Sequence, residues 1–330
     1  MFSIKKIIDK IPKQWSLTLN PNDPWEELNQ KMEESGLIDR ENPEKYSIMI
    51  KSTSLFVRNI WSTADQEEII LATQFILVSS IFDDLIDSHD EIFGIKYINR
   101  FINIFKLDKI EKDPTPLERI ALNICKNLEN RLGNQHPLLN LFKNTVIEYL
   151  FSLLPFKNMK KLKGDIDMNL YYMMRRNNIG MRPTFYLSSI FSMKRLNPEI
   201  VLDPLWSELI DQTGNIVSLF NDLFSYEKEL RANDERMNCF HFIQTQRSWS
   251  VEECLEFFEK EIDNCLEKFL IDENLLKQKY YSILKTQEDI DEFNQLVEKF
   301  HYMMSAIVTW YSQKSKKYKS ENSIFVELRY

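Results

Sequence analysis

Apolar positions recur along this chain at helical spacing. Residues 66–87 (QEEIILATQFILVSSIFDDLID) are apolar on nearly every face and then end in acids, a pattern that belongs at the centre of a helical bundle. Residues 205–231 (LWSELIDQTGNIVSLFNDLFSYEKELR) have the same buried character and the same acidic end. Residues 251–270 and 273–313 show the i, i+3, i+4 spacing of amphipathic helices. Pro114, Pro116, Pro137, Pro155, Pro198 and Pro204 punctuate these stretches and predict about ten helices. The PNDP sequence at Pro21–Pro24 predicts a non-helical N-terminal arm over residues 1–25. The polar, basic KSKKYKSENS predicts loose chain leading into a C-terminal tail at 319–330.

Composition strengthens the helical reading. Six glycines in 330 residues are too few for the tight turns of sheets or the phosphate loops of doubly wound folds. Neither G-x-G-x-x-G nor G-x-x-x-x-G-K-[ST] occurs. The expected fold is all-α, and with no repeat, linker or composition shift one domain over 1–330 is expected. A net charge of −8 argues against a nucleic-acid partner. An acidic protein that handles an anionic ligand must supply positive charge locally, from metal ions or placed Arg and Lys. Residues 1–15 lack the apolar core of a signal peptide. No run of about 18 apolar residues predicts a membrane span. Cys125, Cys239, Cys254 and Cys265 have neither C-x-x-C nor zinc spacing, which suits reduced thiols and a cytoplasmic location.

Two acidic motifs carry the candidate chemistry. In Phe82-Asp83-Asp84-Leu85-Ile86-Asp87, Asp83 and Asp87 stand i, i+4 and project from one helical face, while Asp84 is turned away. Neighbouring carboxylates repel unless a cation lies between them, and their hard oxygens suit Mg²⁺. Three acids at a helix C-terminus also oppose the macrodipole, a poor choice for a plain cap. The other reading is a solvated acidic helix end. In Asn221-Asp222-Leu223-Phe224-Ser225-Tyr226-Glu227-Lys228-Glu229, an amide, a hydroxyl and a carboxylate at Asn221, Ser225 and Glu229 line up four apart. That set can hold one Mg²⁺ with room for water and phosphate oxygens; the alternative is an ordinary polar surface stripe.

Together the motifs resemble those of class I terpene synthases of the microbial type. Asp83, Asp84 and Asp87 are similar to the family's aspartate-rich motif. Asn221, Asp222, Ser225, Lys228 and Glu229 are similar to its second metal motif, with a lysine before the final acid. The family's diphosphate-sensing arginine stands 46 residues before the metal-binding asparagine, and Arg175 has that offset. Asn178, Ile179 and Gly180 fall where the family breaks a helix, although Asn178 stands where the family often has Asp. Tyr311 and the pair Lys317-Tyr318 resemble the family's closing aromatic and Arg-Tyr pair, with lysine in place of arginine. Arg329-Tyr330 is the literal alternative.

The resemblance implies a class I terpenoid synthase bundle with a central active-site cavity and Mg²⁺-dependent ionisation of an allylic prenyl diphosphate. Farnesyl diphosphate is the first expectation, with geranyl and geranylgeranyl diphosphates behind it. It implies three Mg²⁺, or Mn²⁺ in their place, held by Asp83, Asp87, Asn221, Ser225 and Glu229, with Asp84 and Asp222 auxiliary. Arg175, Lys228, Lys317 and Tyr318 would bind the diphosphate. Phe75, Phe82 and Tyr311 are candidates for stabilising the carbocation through their ring faces. The expected product is a cyclised or rearranged hydrocarbon or alcohol, from a monomer or homodimer. Rival readings are a chain-elongating prenyl diphosphate synthase, which would carry a second DDxxD, and a non-catalytic helical scaffold.

Overall fold

Side-chain caps start the helices where sequence punctuation predicts. Asp65 with Glu68, Thr115 with Glu118, and Ser250 with Glu253 form reciprocal capping boxes, each satisfying backbone donors that the first helical turn leaves unpaired. In the computed structural model, residues 1–16, 18–38, 44–159, 167–232, 238–314 and 318–330 are described. Among them 78% are helical, with no strand beyond an isolated bridge of Phe2 with Phe325. The expectation of an all-helical chain holds.

The helices in chain order are α1 Lys5–Ile8, α2 Trp25–Ser35, α3 Glu44–Ile60, α4 Gln66–Ser88, α5 Glu91–Leu107, α6 Pro116–Leu132 and α7 Pro137–Met159. There follow α8 Met168–Asn178, α9 Met181–Ser192, α10 Pro204–Ala232, α11 Cys239–Arg247, α12 Val251–Tyr281 and α13 Gln287–Thr309, which continues as a π turn at Trp310–Lys314. Pro116, Pro137 and Pro204 open helices as expected, where the missing N–H costs nothing. Pro155 does not break the chain: it lies inside α7, near that helix's end.

The packing falls into two compact units. The first holds Met1–Leu17, Asn158–Met181 and Met193–Tyr330. In it α10 packs along α12 and against α8, α11 and α13. The second holds Thr18–Lys157 and Arg182–Ser192, with α4 packed on α3, α5 and α6. Both acidic helices are core elements, which is why they are apolar on most faces: α4 is buried from Glu68 through Phe75, and α10 from Leu209 through Phe220. By length and composition α4 could also cross a membrane, but 67% of its apolar window is buried. All four cysteines are free and buried.

The C-terminal tail is not loose. Ser323, Phe325 and Leu328 are fully buried in the first unit. Phe2 N–H donates to Ile324 O and Val326 N–H to Phe2 O, both at 2.9 Å, so the tail pairs with the N-terminal segment. Glu227, inside the second acidic motif, accepts from Ile324 N–H at 2.9 Å and from the Ser323 hydroxyl. Polar composition hid this anchoring because a few apolar side chains and one carboxylate perform it.

Candidate active site

In the first unit α10 carries Asn221, Ser225 and Glu229 in one row, with Ser225 buried and the other two half-buried. Beside the row Asp222 is buried and gathers three donors. Arg175 Nη2 donates to Asp222 Oδ1 at 2.9 Å, the Tyr171 hydroxyl to Oδ2 at 2.8 Å, and Cys239 N–H to Oδ2 at 2.7 Å. Arg175, only 6% exposed, also donates to Asn221 Oδ1 at 2.8 Å and to Asn178 Oδ1 at 3.1 Å. The neighbouring Arg176 turns the other way, to Asn215 and Asp211 earlier on α10. The 46-residue offset therefore selects the arginine that touches the second motif.

Burial pushes the Asp222 carboxyl above its ordinary range, and Arg175, the Cys239 amide and the Tyr171 hydroxyl pull it back. Burial likewise opposes the Arg175 charge, but Asp222, Tyr171 and Glu229 together more than offset it and hold the guanidinium firmly ionised. Burial and then the Asp222 charge raise Glu229, against hydrogen bonds from Asn238 and Ser225.

The predicted helix break is present. α8 ends at Asn178, Gly180 adopts φ +72°, and α9 begins at Met181. A left-handed residue here suits glycine, which has no Cβ to clash. Ile179 and Met181 lie in van der Waals reach of the Gly214 position on α10, so the break is packed against the helix that carries the second motif.

Tyr311 joins the same cluster. Asn221 Nδ2 donates to its hydroxyl, and its ring stacks on Phe224 at 5.2 Å with Tyr318 edge-on at 5.0 Å. Tyr318 is buried and Lys228 half-exposed; Lys317 lies outside the described residues. Arg329 Nε donates to Ser323 O at 2.8 Å, while Tyr330 is 72% exposed.

The first motif ends α4 in the second unit. Asp83 is half-buried, and Asp84 and Asp87 are exposed. Tyr149 of α7, a buried side chain, donates to Ser79 O at 3.3 Å. Its phenol is driven well above its ordinary pKa by burial and then by the charges of Asp83, Asp87 and Asp84. Lys157 Nζ reaches the helix end, donating to Ile86 O at 2.5 Å, Asp87 O at 3.0 Å and His89 O. It supplies the positive charge that the acid-laden C-terminus lacks. Phe75 and Phe82 are buried in the aromatic core of this unit: Phe75 meets Phe142, and Phe82 meets Tyr97 and Phe101.

Among the described residues no three His, Cys, Asp or Glu gather as a metal cluster. The second motif would count for one such residue, since an amide and a hydroxyl supply its other oxygens. That donor set fits a hard divalent cation: the oxygens share one face, and each keeps a lone pair beyond its present hydrogen bonds. Four residues around the motifs escaped the sequence reading. Tyr171, four positions before the conspicuous arginine pair, had the nearest signal; Tyr149, Lys157 and Asn238 had none of periodic kind.

Known proteins are similar to this chain along most of its length. A model of terpene synthase family 2, C-terminal metal binding, matches residues 74–268, which include both motifs. Terpene synthase 2 of Dictyostelium discoideum is 28% identical over 279 residues, covering 82% of this chain and 79% of that protein. Terpene synthase 2 of Dictyostelium purpureum is 26% identical over 325 residues, covering 97% and 93%. The fold is shared with the linalool/nerolidol synthase of Streptomyces clavuligerus, solved in complex with 2-fluorogeranyl diphosphate. The TM-score is 0.75 at 12% identity, over 90% of this chain and 96% of that one.

Proposed function

This chain belongs to terpene synthase family 2, and from that premise we propose that it is a class I enzyme that ionises an allylic prenyl diphosphate with Mg²⁺, farnesyl diphosphate being the expected substrate. The observation that carries the reading is the second motif: a row of amide, hydroxyl and carboxylate oxygens with Arg175 bonded to its first member. A structural neighbour's complex with 2-fluorogeranyl diphosphate supports the substrate class.

Asp83 and Asp87 would hold two ions, and Asn221, Ser225 and Glu229 a third. Mg²⁺, when bound, supplies the charge that neutralises diphosphate as the allylic C–O bond breaks. Arg175 and Lys228 add fixed positive charge for phosphate oxygens, Arg175 with a planar fork already oriented by Asp222. Ring faces at Tyr311 and Phe224 can stabilise a carbocation, and no histidine base is needed for ionisation. The carbocation then cyclises or rearranges, and either loses a proton to the departed diphosphate to give a hydrocarbon or captures water and loses a proton to give an alcohol.

Incubation with geranyl, farnesyl and geranylgeranyl diphosphates, each with Mg²⁺, followed by mass analysis of volatile products, tests this. Terpene formation with farnesyl diphosphate is expected. No terpene from any of the three, or elongation of the substrate when isopentenyl diphosphate is added, would overturn it.

A further inference from the structure

Asn238 precedes α11 and is 2% exposed. Its side chain does two separate things. Oδ1 caps α11, accepting from Phe240 N–H at 3.0 Å and His241 N–H at 3.3 Å. Nδ2 points the other way, into the second motif. It lies 2.7 Å from Asp222 O, 2.9 Å from Glu229 Oε2 and 3.3 Å from Ser225 Oγ. Capping alone would accept Ser, Thr or Asp equally well. Only a side chain with both an acceptor and a donor can cap α11 and bond the motif at once.

We propose that Asn238 is a positioning residue for the second metal motif, its amide fixing the Ser225 hydroxyl and the Glu229 carboxylate in the orientation that receives the ion. A half-buried glutamate has several rotamers, and holding one of them costs side-chain entropy. A donor on Glu229 Oε2 selects one rotamer before the ion arrives. The same N–H group reaches Ser225, one turn earlier on the face, so the two ligands are set together. Asn238 is itself immobilised, because Cys239 N–H is bonded to Asp222 Oδ2 and the Asn238 amide to Asp222 O. Asp222 thus orients Arg175 on one side and, through Asn238, the metal ligands on the other. Partners of this kind, bonded to ligands rather than to the ion, change metal affinity by about 10–100-fold.

This inference rests on the metal reading above. Its test is calorimetric titration of Mg²⁺ in the presence of inorganic diphosphate, alongside melting curves, for wild type, Asn238→Ser and Asn238→Asp. Asn238→Ser keeps the cap but cannot reach Glu229, so its Mg²⁺ midpoint should rise at least about tenfold. Asn238→Asp keeps cap and shape but sets a carboxylate oxygen against Glu229 and Asp222 O. Its metal-free melting temperature should fall below that of wild type, and Mg²⁺ with diphosphate should restore more of it than wild type gains. A wild-type Mg²⁺ midpoint in a folded Asn238→Ser protein overturns the proposal. Should that variant not fold, Asn238→Asp decides, and wild-type melting with a wild-type Mg²⁺ response would reduce Asn238 to a cap. Wild type that shows no Mg²⁺ response overturns the metal reading itself, a different result from either.

Discussion

Arg175 holds Asn178, Asn221 and Asp222 with one planar group. A lysine would keep a charge for Asp222 and lose the fork that meets all three. Arg175→Lys should therefore cut turnover at least tenfold, about 1.4 kcal/mol of transition-state stabilisation. Some thermal stability should go with it, since the ion pair is buried. Near-normal turnover in a less stable protein would leave Arg175 a structural ion-pair partner and no more. At this scale the sequence reveals residues whose partners keep helical or family spacing. The i, i+4 ligands and the 46-residue offset of Arg175 are of that kind. Asn238 is not: it meets Glu229 and Asp222 from the start of the next helix, and nothing in a one-dimensional pattern marks a side chain that donates backwards.

The helix ends carry the next level. An apolar helix ending in Asp83, Asp84 and Asp87 puts negative charge where the macrodipole is already negative. That conflict is visible in the sequence, whereas its relief by Lys157 is visible only in the fold, because α7 brings the ammonium back to the α4 carbonyls. Lys157→Met should lower unfolding free energy by about 1–2 kcal/mol at low ionic strength, measured by urea denaturation with the helical spectrum retained. An unchanged midpoint would mean that the ammonium leaves the helix end unaffected. The break at Gly180 was legible because Asn178, Ile179 and Gly180 fall where the family breaks a helix, and glycine is itself a local signal. Pro155 misled for the same reason, since a proline near the end of a long helix is tolerated when packing holds the last turn.

Across the whole molecule, the scarcity of glycine and the two nearly all-apolar stretches determined the fold class, because a chain poor in turns and rich in helical periodicity has few other ways to bury its core. The packed tail was illegible, as its anchors Ser323, Phe325 and Leu328 sit among polar neighbours. The central claim is that a protein of net charge −8 handles an anionic substrate by means of metal ions held at both motifs. The most direct test is the rate of inorganic diphosphate release from farnesyl diphosphate, with Mg²⁺ and after chelation, for wild type beside Asp83→Ala and Asn221→Ala. Asp83→Ala removes an oxygen ligand, and Asn221→Ala also gives up hydrogen bonds with Arg175 and Tyr311, so rates are compared only in variants that keep the helical spectrum. The account predicts release that stops on chelation and falls by about a hundredfold or more in each variant. Release that survives chelation, or wild-type rates in either folded variant, would contradict it.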